Sequence, residues 1–239
     1  MMTPDPILYS ETLRRIVARG KPDMVAALIM KARYSRGGEA ELAKALTDLT
    51  GVDLGSDWTK WMEWQQEHPE IKSFGAFDAF KAGVFAGIDP NYRQLLWRGI
   101  KHEIRMEEVV WGGVKALNGI PSLDFPKQIP ASEADYLKDD ELVFGVAING
   151  DVRAYPLRFL DWHEMFNDKV GGKYVTLAYC TLCASGILFD STVEGRTEPF
   201  KFGSSGLLYR SNKLMYDHET KSLWNQFTGR PVVGKLTGS

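Results

Sequence analysis

At 239 residues, 44% hydrophobic and 25% charged, the chain is long enough to bury one large core or two small ones. A formal net charge of −2 gives no pull toward nucleic acid or an anionic membrane, and two cysteines exclude a disulfide-dense scaffold. The apolar run MVAALIM at 24–30 is too short to span a bilayer, and MMTPDPILYSETLRR is no secretory leader, so a soluble cytoplasmic protein is expected.

The first 97 residues read as helices. Thr3 or Asp5 caps a helix running to Ala18, with a proline in its first turn and Gly20 after its end. KPDMVAALIMKARYS restarts at Pro22 and Asp23, and its apolar residues at 24, 25, 28 and 29 keep a 3.6 period. Arg36-Gly37-Gly38 breaks it. EAELAKALTDLTG then sets Leu42, Leu46 and Leu49 on one face before Gly51, which predicts a helical hairpin. Ser56 or Asp57 caps SDWTKWMEWQQEHPE, which Pro69 closes. FGAFDAFKAGVFAGID and DPNYRQLLWRG supply two more short helices. The expectation is an all-helical domain over 1–97, hairpin or solenoid-like, through which a protein partner is recruited.

The texture changes at 98–125, which is rich in Gly and Pro and reads as a loop-rich bridge. From about 140 short β runs follow. ELVFGVAINGDVRAYPL is a hairpin around Asn149-Gly150, and PLRFLDWHEMFND is the one helix of this half. KYVTLAYC, SGILFDSTV, TEPFKF, GLLYRSNKLMYD, SLWNQF and PVVGKL read as strands. The fold class expected is α+β: helices first, then a mostly antiparallel β domain over 98–239, rolled or sandwiched, with one inserted helix.

Ordered motifs run through this second half: HEMFND at 163–168, YCTLCASGILFD at 179–190, and FGSSGLLYRSNKLMYDHETKSLWNQFTGRPVVG at 202–234. Together they resemble the bacterial family called domain of unknown function 3179. The matching positions are His163, Glu164, Asn167, Asp168, Tyr179, Cys180, Cys183, Ser205, Gly206, Leu207, Leu208, Asp217, Thr220, Ser222, Trp224 and Gln226. Some members of that family look like selenoproteins, so the resemblance implies redox chemistry at the cysteine motif. Thr181 departs from it, since proline is commonest after the first cysteine. Members also continue past a point equivalent to GKLTGS, so the resemblance predicts that PVVGKL lies on an open sheet edge.

Three readings of Cys180 and Cys183 stand side by side. As a redox pair they close or exchange a disulfide, with His163 as proton acceptor, although no helix follows to lower a thiol pKa. As metal ligands they join His163 and His218 around zinc or copper, steadied by Glu164 and Asp168. As core residues they are two small buried side chains in a non-catalytic module. Asn167 and Ser205 are supporting candidates. GSSG at 203–206 reads as a tight turn between strands, and Asp217, Thr220 and Ser222 read as turn chemistry. The sequence lacks a dinucleotide fingerprint, a P-loop, a nucleophile elbow and HExxH. The short path between helix and cysteines predicts that His163 faces them across a small polar pocket.

Overall fold

The structure is a computed structural model that describes residues 5–35, 38–117 and 119–239. The described residues within 1–80 and 105–110 form one compact unit, and those within 81–104 and 111–239 form the second. No helix among the described residues is long and apolar enough to cross a membrane.

Four helices build the first unit: α1 (Pro6–Ala18), α2 (Val25–Arg33), α3 (Glu39–Thr50) and α4 (Trp58–Glu67). Asp5 caps α1, accepting from the Ile7 and Leu8 amides, and Asp57 caps α4 through Thr59 and Lys60. Gly51 ends α3 at a φ of 76°, a conformation that suits glycine. Residues 25–30 of α2 are buried on every side, so α2 is the central helix, and the unit's core gathers Leu28, Ile29, Leu42, Leu46 and Trp61 around it. Each such side chain contributes about 1.5–3 kcal/mol on burial. The break expected at Arg36-Gly37 lies outside the described residues, as does Thr3. A fifth helix, α5 (Phe77–Ile88), leads into the second unit, where DPNYRQLLWRG forms only a 3-10 segment at Pro90–Gln94.

The second unit carries two sheets and a hairpin. The bridge that read as loop supplies β1 (Val109–Trp111), whose last residue belongs to this unit, and β2 (Leu123–Asp124). Then come β3 (Val143–Ile148), β4 (Asp151–Pro156), α6 (Leu157–His163), β5 (Met165–Val170), β6 (Lys173–Cys180) and β7 (Ser185–Asp190). The chain ends with β8 (Phe202–Tyr209), β9 (Asn212–Asp217), β10 (Leu223–Asn225) and β11 (Arg230–Val233). One sheet has the order β1-β8-β9-β10-β11, the other β2-β5-β6-β7, and β3 pairs with β4 around Asn149-Gly150. All pairings within the second sheet are antiparallel except β2 with β5.

Both faces of β6 are covered, which is why KYVTLAYC reads as nearly continuous apolar sequence. Val175, Leu177 and Tyr179 pack with Val146, Tyr155 and Leu160 from the hairpin and α6. Ala178 points the other way, into a core with Phe202, Met215 and Trp224 of the first sheet. Strand alternation puts Cys180 on that second face, between the sheets.

Asn167 ties the two sheets together. Its amide nitrogen donates to Asp124 Oδ1 and the Phe202 carbonyl, both at 2.8 Å, while its oxygen accepts from the Phe202 amide at 2.9 Å and Thr176 Oγ1 at 3.0 Å. Replacing Asn167 with Ala strips these partners in a buried setting, and a loss of about 3 kcal/mol in urea unfolding is expected. A loss below about 1 kcal/mol would show the cross-link to be dispensable.

Three sequence expectations change. HEMFND is not the end of a helix: α6 stops at His163 because Glu164 adopts a left-handed φ of 59°, and β5 then pairs along β6. GSSG is not a turn between strands but a bulge inside β8, where the register with β9 shifts between Ser204 and Leu207. Gly206 is required there: a Cβ would come within 2.5 Å of the Tyr92 hydroxyl. The edge of β11 is not open either. Glu103 N donates to Val232 O at 2.9 Å, Gly234 N donates to Lys101 O at 2.8 Å, and His102 bridges to Val233.

Candidate functional site

The two cysteines are joined in a disulfide, with Cα atoms 5.2 Å apart. Cys180 ends β6, Cys183 lies in the loop 181–184, and Cys180 pairs with Ser185 across the hairpin. The Cys183 amide donates to the Cys180 carbonyl at 3.1 Å. Gln226 holds the neck of this turn from the first sheet, its amide nitrogen donating to the Ala178 and Ser185 carbonyls at 2.9 and 3.0 Å. Ser185 Oγ donates to Asn212 Oδ1 at 3.1 Å. Cys180 is buried, Cys183 is half-buried, and Leu182 stands 70% exposed at the tip.

Beside the disulfide lies a cavity of about 200 Å³. Cys180, Thr181 and Leu182 form one wall, Glu164 and Lys213 another, and Gly112, Val114 and Gly206 close it. Asp161, Thr181 and Leu182 are exposed, so the cavity opens to solvent beside the cysteine turn. The wall at Gly112 and Val114 is held in place: the Val114 carbonyl accepts from Tyr92 Oη at 2.9 Å and Trp111 Nε1 at 2.6 Å, and Gly112 N donates to Gly206 O at 2.8 Å.

Glu164 and Lys213 form a directly bonded, buried ion pair. Lys213 sits on β9 in phase with Met215, so alternation turns it toward the other sheet, as it does Cys180. Glu164 reaches it from the break between α6 and β5, where its carbonyl accepts from the Tyr179 amide at 2.7 Å. Burial pushes the Lys213 ammonium down to about 8, against the opposing pull of Glu164.

The sulfur of Cys183 lies 2.9 Å from the Ser211 carbonyl oxygen. In the disulfide that sulfur has no proton; in the dithiol it would donate one there.

The remaining sequence candidates go elsewhere. His163 is not in the cavity wall: its Nδ1 donates to the Pro121 carbonyl at 2.9 Å, and its neighbour Glu164 takes the place beside Cys180. Asp168 accepts from Arg153 Nη1 at 2.8 Å and Tyr155 Oη at 2.9 Å, which raises the tyrosine's pKa after burial has done so. His218 lies near Asp124, Nδ1 to Oδ2 3.9 Å, and burial lowers its pKa. Ser205 Oγ donates to the Leu214 carbonyl and accepts from the Leu207 amide, holding the bulge. Asp217 binds its own turn. With both sulfurs bonded to each other and the histidines elsewhere, the zinc or copper set is not assembled. Among the described residues no three or more His, Cys, Asp or Glu side chains gather as metal ligands.

A larger hollow of about 510 Å³ lies in the helical unit, against α1 and α3. Its polar groups pair locally, Ser10 with Glu41 at 2.7 Å and Lys44 with Asp48 at 2.9 Å, and its lining holds no cysteine or histidine. The smaller cavity is the candidate site.

A family model described as "Protein of unknown function (DUF3179)" matches residues 117–239. The chain belongs to this family. No curated protein and no solved structure matches it. The DUF3179 segment includes β2 to β11, both cysteines, Glu164 and Lys213, while α1 to α5 lie before it. Lys213 was absent from the sequence-derived set. The available signal was its phase: a lysine alternating with Leu214 and Tyr216 in a strand whose Met215 and Asp217 share its face.

Proposed function

We propose that this DUF3179 protein is a thiol–disulfide oxidoreductase acting through Cys180 and Cys183. The observation that carries the reading is a disulfide in the wall of a solvent-open cavity that also holds the buried Glu164–Lys213 pair. Exchange needs a reachable sulfur, a stabilised thiolate and a fold that survives opening. The cavity supplies reach to Cys180. Lys213 stands in the same wall, bonded to Glu164, and its lowered pKa lets it give up a proton near neutrality. Glu164 holds that ammonium in place. In this reading the pair takes the acid–base role first expected of His163.

The turn survives opening because the disulfide closes a very short loop. Loop-closure entropy over four residues is worth only about 2 kcal/mol. Gln226, Asn212 and the Cys183 amide remain as clamps. A cytoplasmic location, where thiol reductants are abundant, fits a pair that cycles.

The test equilibrates the protein with graded dithiothreitol and counts thiols by alkylation and mass. Two thiols should appear together and reversibly, with the far-ultraviolet dichroism unchanged. Cys183→Ser should abolish turnover of a small disulfide substrate, while His163→Ala should keep it within about twofold, since the imidazole binds a carbonyl outside the cavity. If the disulfide opens only as the chain unfolds, the bond is structural and the proposal fails.

A further inference from the structure

Resting on that redox reading, we infer that the sulfur attacked is Cys180 and that the reactant is a small thiol, neutral or cationic, admitted through the cavity. Attack on a disulfide follows the S–S axis from the far side of the sulfur attacked. The cavity touches Cys180 and not Cys183. Its volume of about 200 Å³ suits a compact molecule, given that a 150 Å³ cavity accepts one the size of benzene. A protein loop or a tripeptide thiol is too large for it.

Charge selects further. The charged groups in the wall are Asp161, Glu164 and Lys213. Glu164 and Lys213 neutralise each other by direct contact, which leaves the Asp161 carboxylate as the net field at the mouth. That field attracts an ammonium and repels a carboxylate.

The step balances with the thiol as reductant. One thiolate attacks Cys180 Sγ, a mixed disulfide forms, and the bond to Cys183 breaks. Cys183 leaves as thiolate and takes a proton from water, and the resulting S–H donates a hydrogen bond to the Ser211 carbonyl. A second thiolate attacks the sulfur of the bound reductant. It releases a small disulfide and leaves the Cys180 thiolate in the wall that carries Lys213. Two thiols are oxidised to one disulfide, and the protein disulfide becomes a dithiol.

The experiment measures disulfide opening in the folded protein by cysteamine, 2-mercaptoethanol, 3-mercaptopropionate and glutathione. Each rate is corrected for the thiol's own pKa and nucleophilicity. Cysteamine should exceed 3-mercaptopropionate by about tenfold, glutathione should be slowest, and Asp161→Asn should shrink the first ratio to about twofold. Equal corrected rates, or a charge preference that Asp161→Asn leaves untouched, would overturn this inference; reversible opening in the same assay would leave the redox reading standing. If none of the four thiols opens the disulfide while the chain stays folded, both readings fail.

Discussion

Asp217→Asn should lower the stability of the DUF3179 unit by about 4 kcal/mol, the combined cost of several charge-assisted hydrogen bonds in a buried turn. The carboxylate is fully buried and feeds five donors. Oδ1 accepts from the Glu219 and Thr220 amides. Oδ2 accepts from Thr220 Oγ1 at 2.7 Å, the Ser222 amide at 3.2 Å and Trp224 Nε1 at 3.0 Å. Asparagine keeps one acceptor and sets an NH2 against three donors. Trp224 anchors the core between the sheets, packed on Phe200 and Phe202, so the damage reaches beyond the turn. Urea unfolding followed by tryptophan fluorescence reads the loss. Thr220→Val removes one of the five donors and should cost only about 1 kcal/mol. If Asp217→Asn were no worse than Thr220→Val, the carboxylate would not be the organising group.

This turn was legible in the sequence because its chemistry is local. The Asp217 and Thr220 side chains bond to backbone within five residues, the usual behaviour of short polar side chains, whereas Ser222 Oγ reaches the Leu236 amide further along the chain. The strand KYVTLAYC was legible too, and so were the caps Asp5 and Asp57, each a neighbour of the groups it satisfies. What failed to show depends on contacts distant in sequence. Met165 continues the spacing of Leu157 and Leu160, so nothing local says that Glu164 turns left-handed. The pairing with β6, from Met165 with Ala178 to Val170 with Lys173, decides it. Lys213 in NKLMYD shares the strand face of Met215 and Asp217, but the partner that completes its buried setting, Glu164, lies 49 residues earlier in the chain. His163 drew attention as the titratable neighbour of the cysteines in chain order. The backbone reversal at Glu164 gives the inward position to the next residue.

Lys213→Met alone should destabilise the protein by about 3–5 kcal/mol at pH 7, because it strands the Glu164 carboxylate in a buried site. The double variant Glu164→Met/Lys213→Met removes both charges with little change of volume, and should return to within about 1 kcal/mol of the parent. The asymmetry follows from desolvation: each charge needs the other, and the fold needs neither. The pH dependence carries the same message with a definite sign. The folded pKa of Lys213, about 8, lies below its ordinary value of 10.5, so folding favours the neutral amine. Below pH 8 the burial penalty is fully present; it lifts as pH rises from about 8 toward 10.5, where the unfolded chain binds the proton and the folded one does not. The parent should therefore gain stability relative to the double variant across that window, by about 3 kcal/mol if the whole shift is realised. Once rates are corrected for the attacking thiol's own ionisation, the double variant should meanwhile lose the remaining pH response of disulfide opening and slow it by at least about tenfold at pH 7. A double variant as unstable as Lys213→Met, with opening kinetics unchanged, would make the pair a structural strut and remove it from the chemistry.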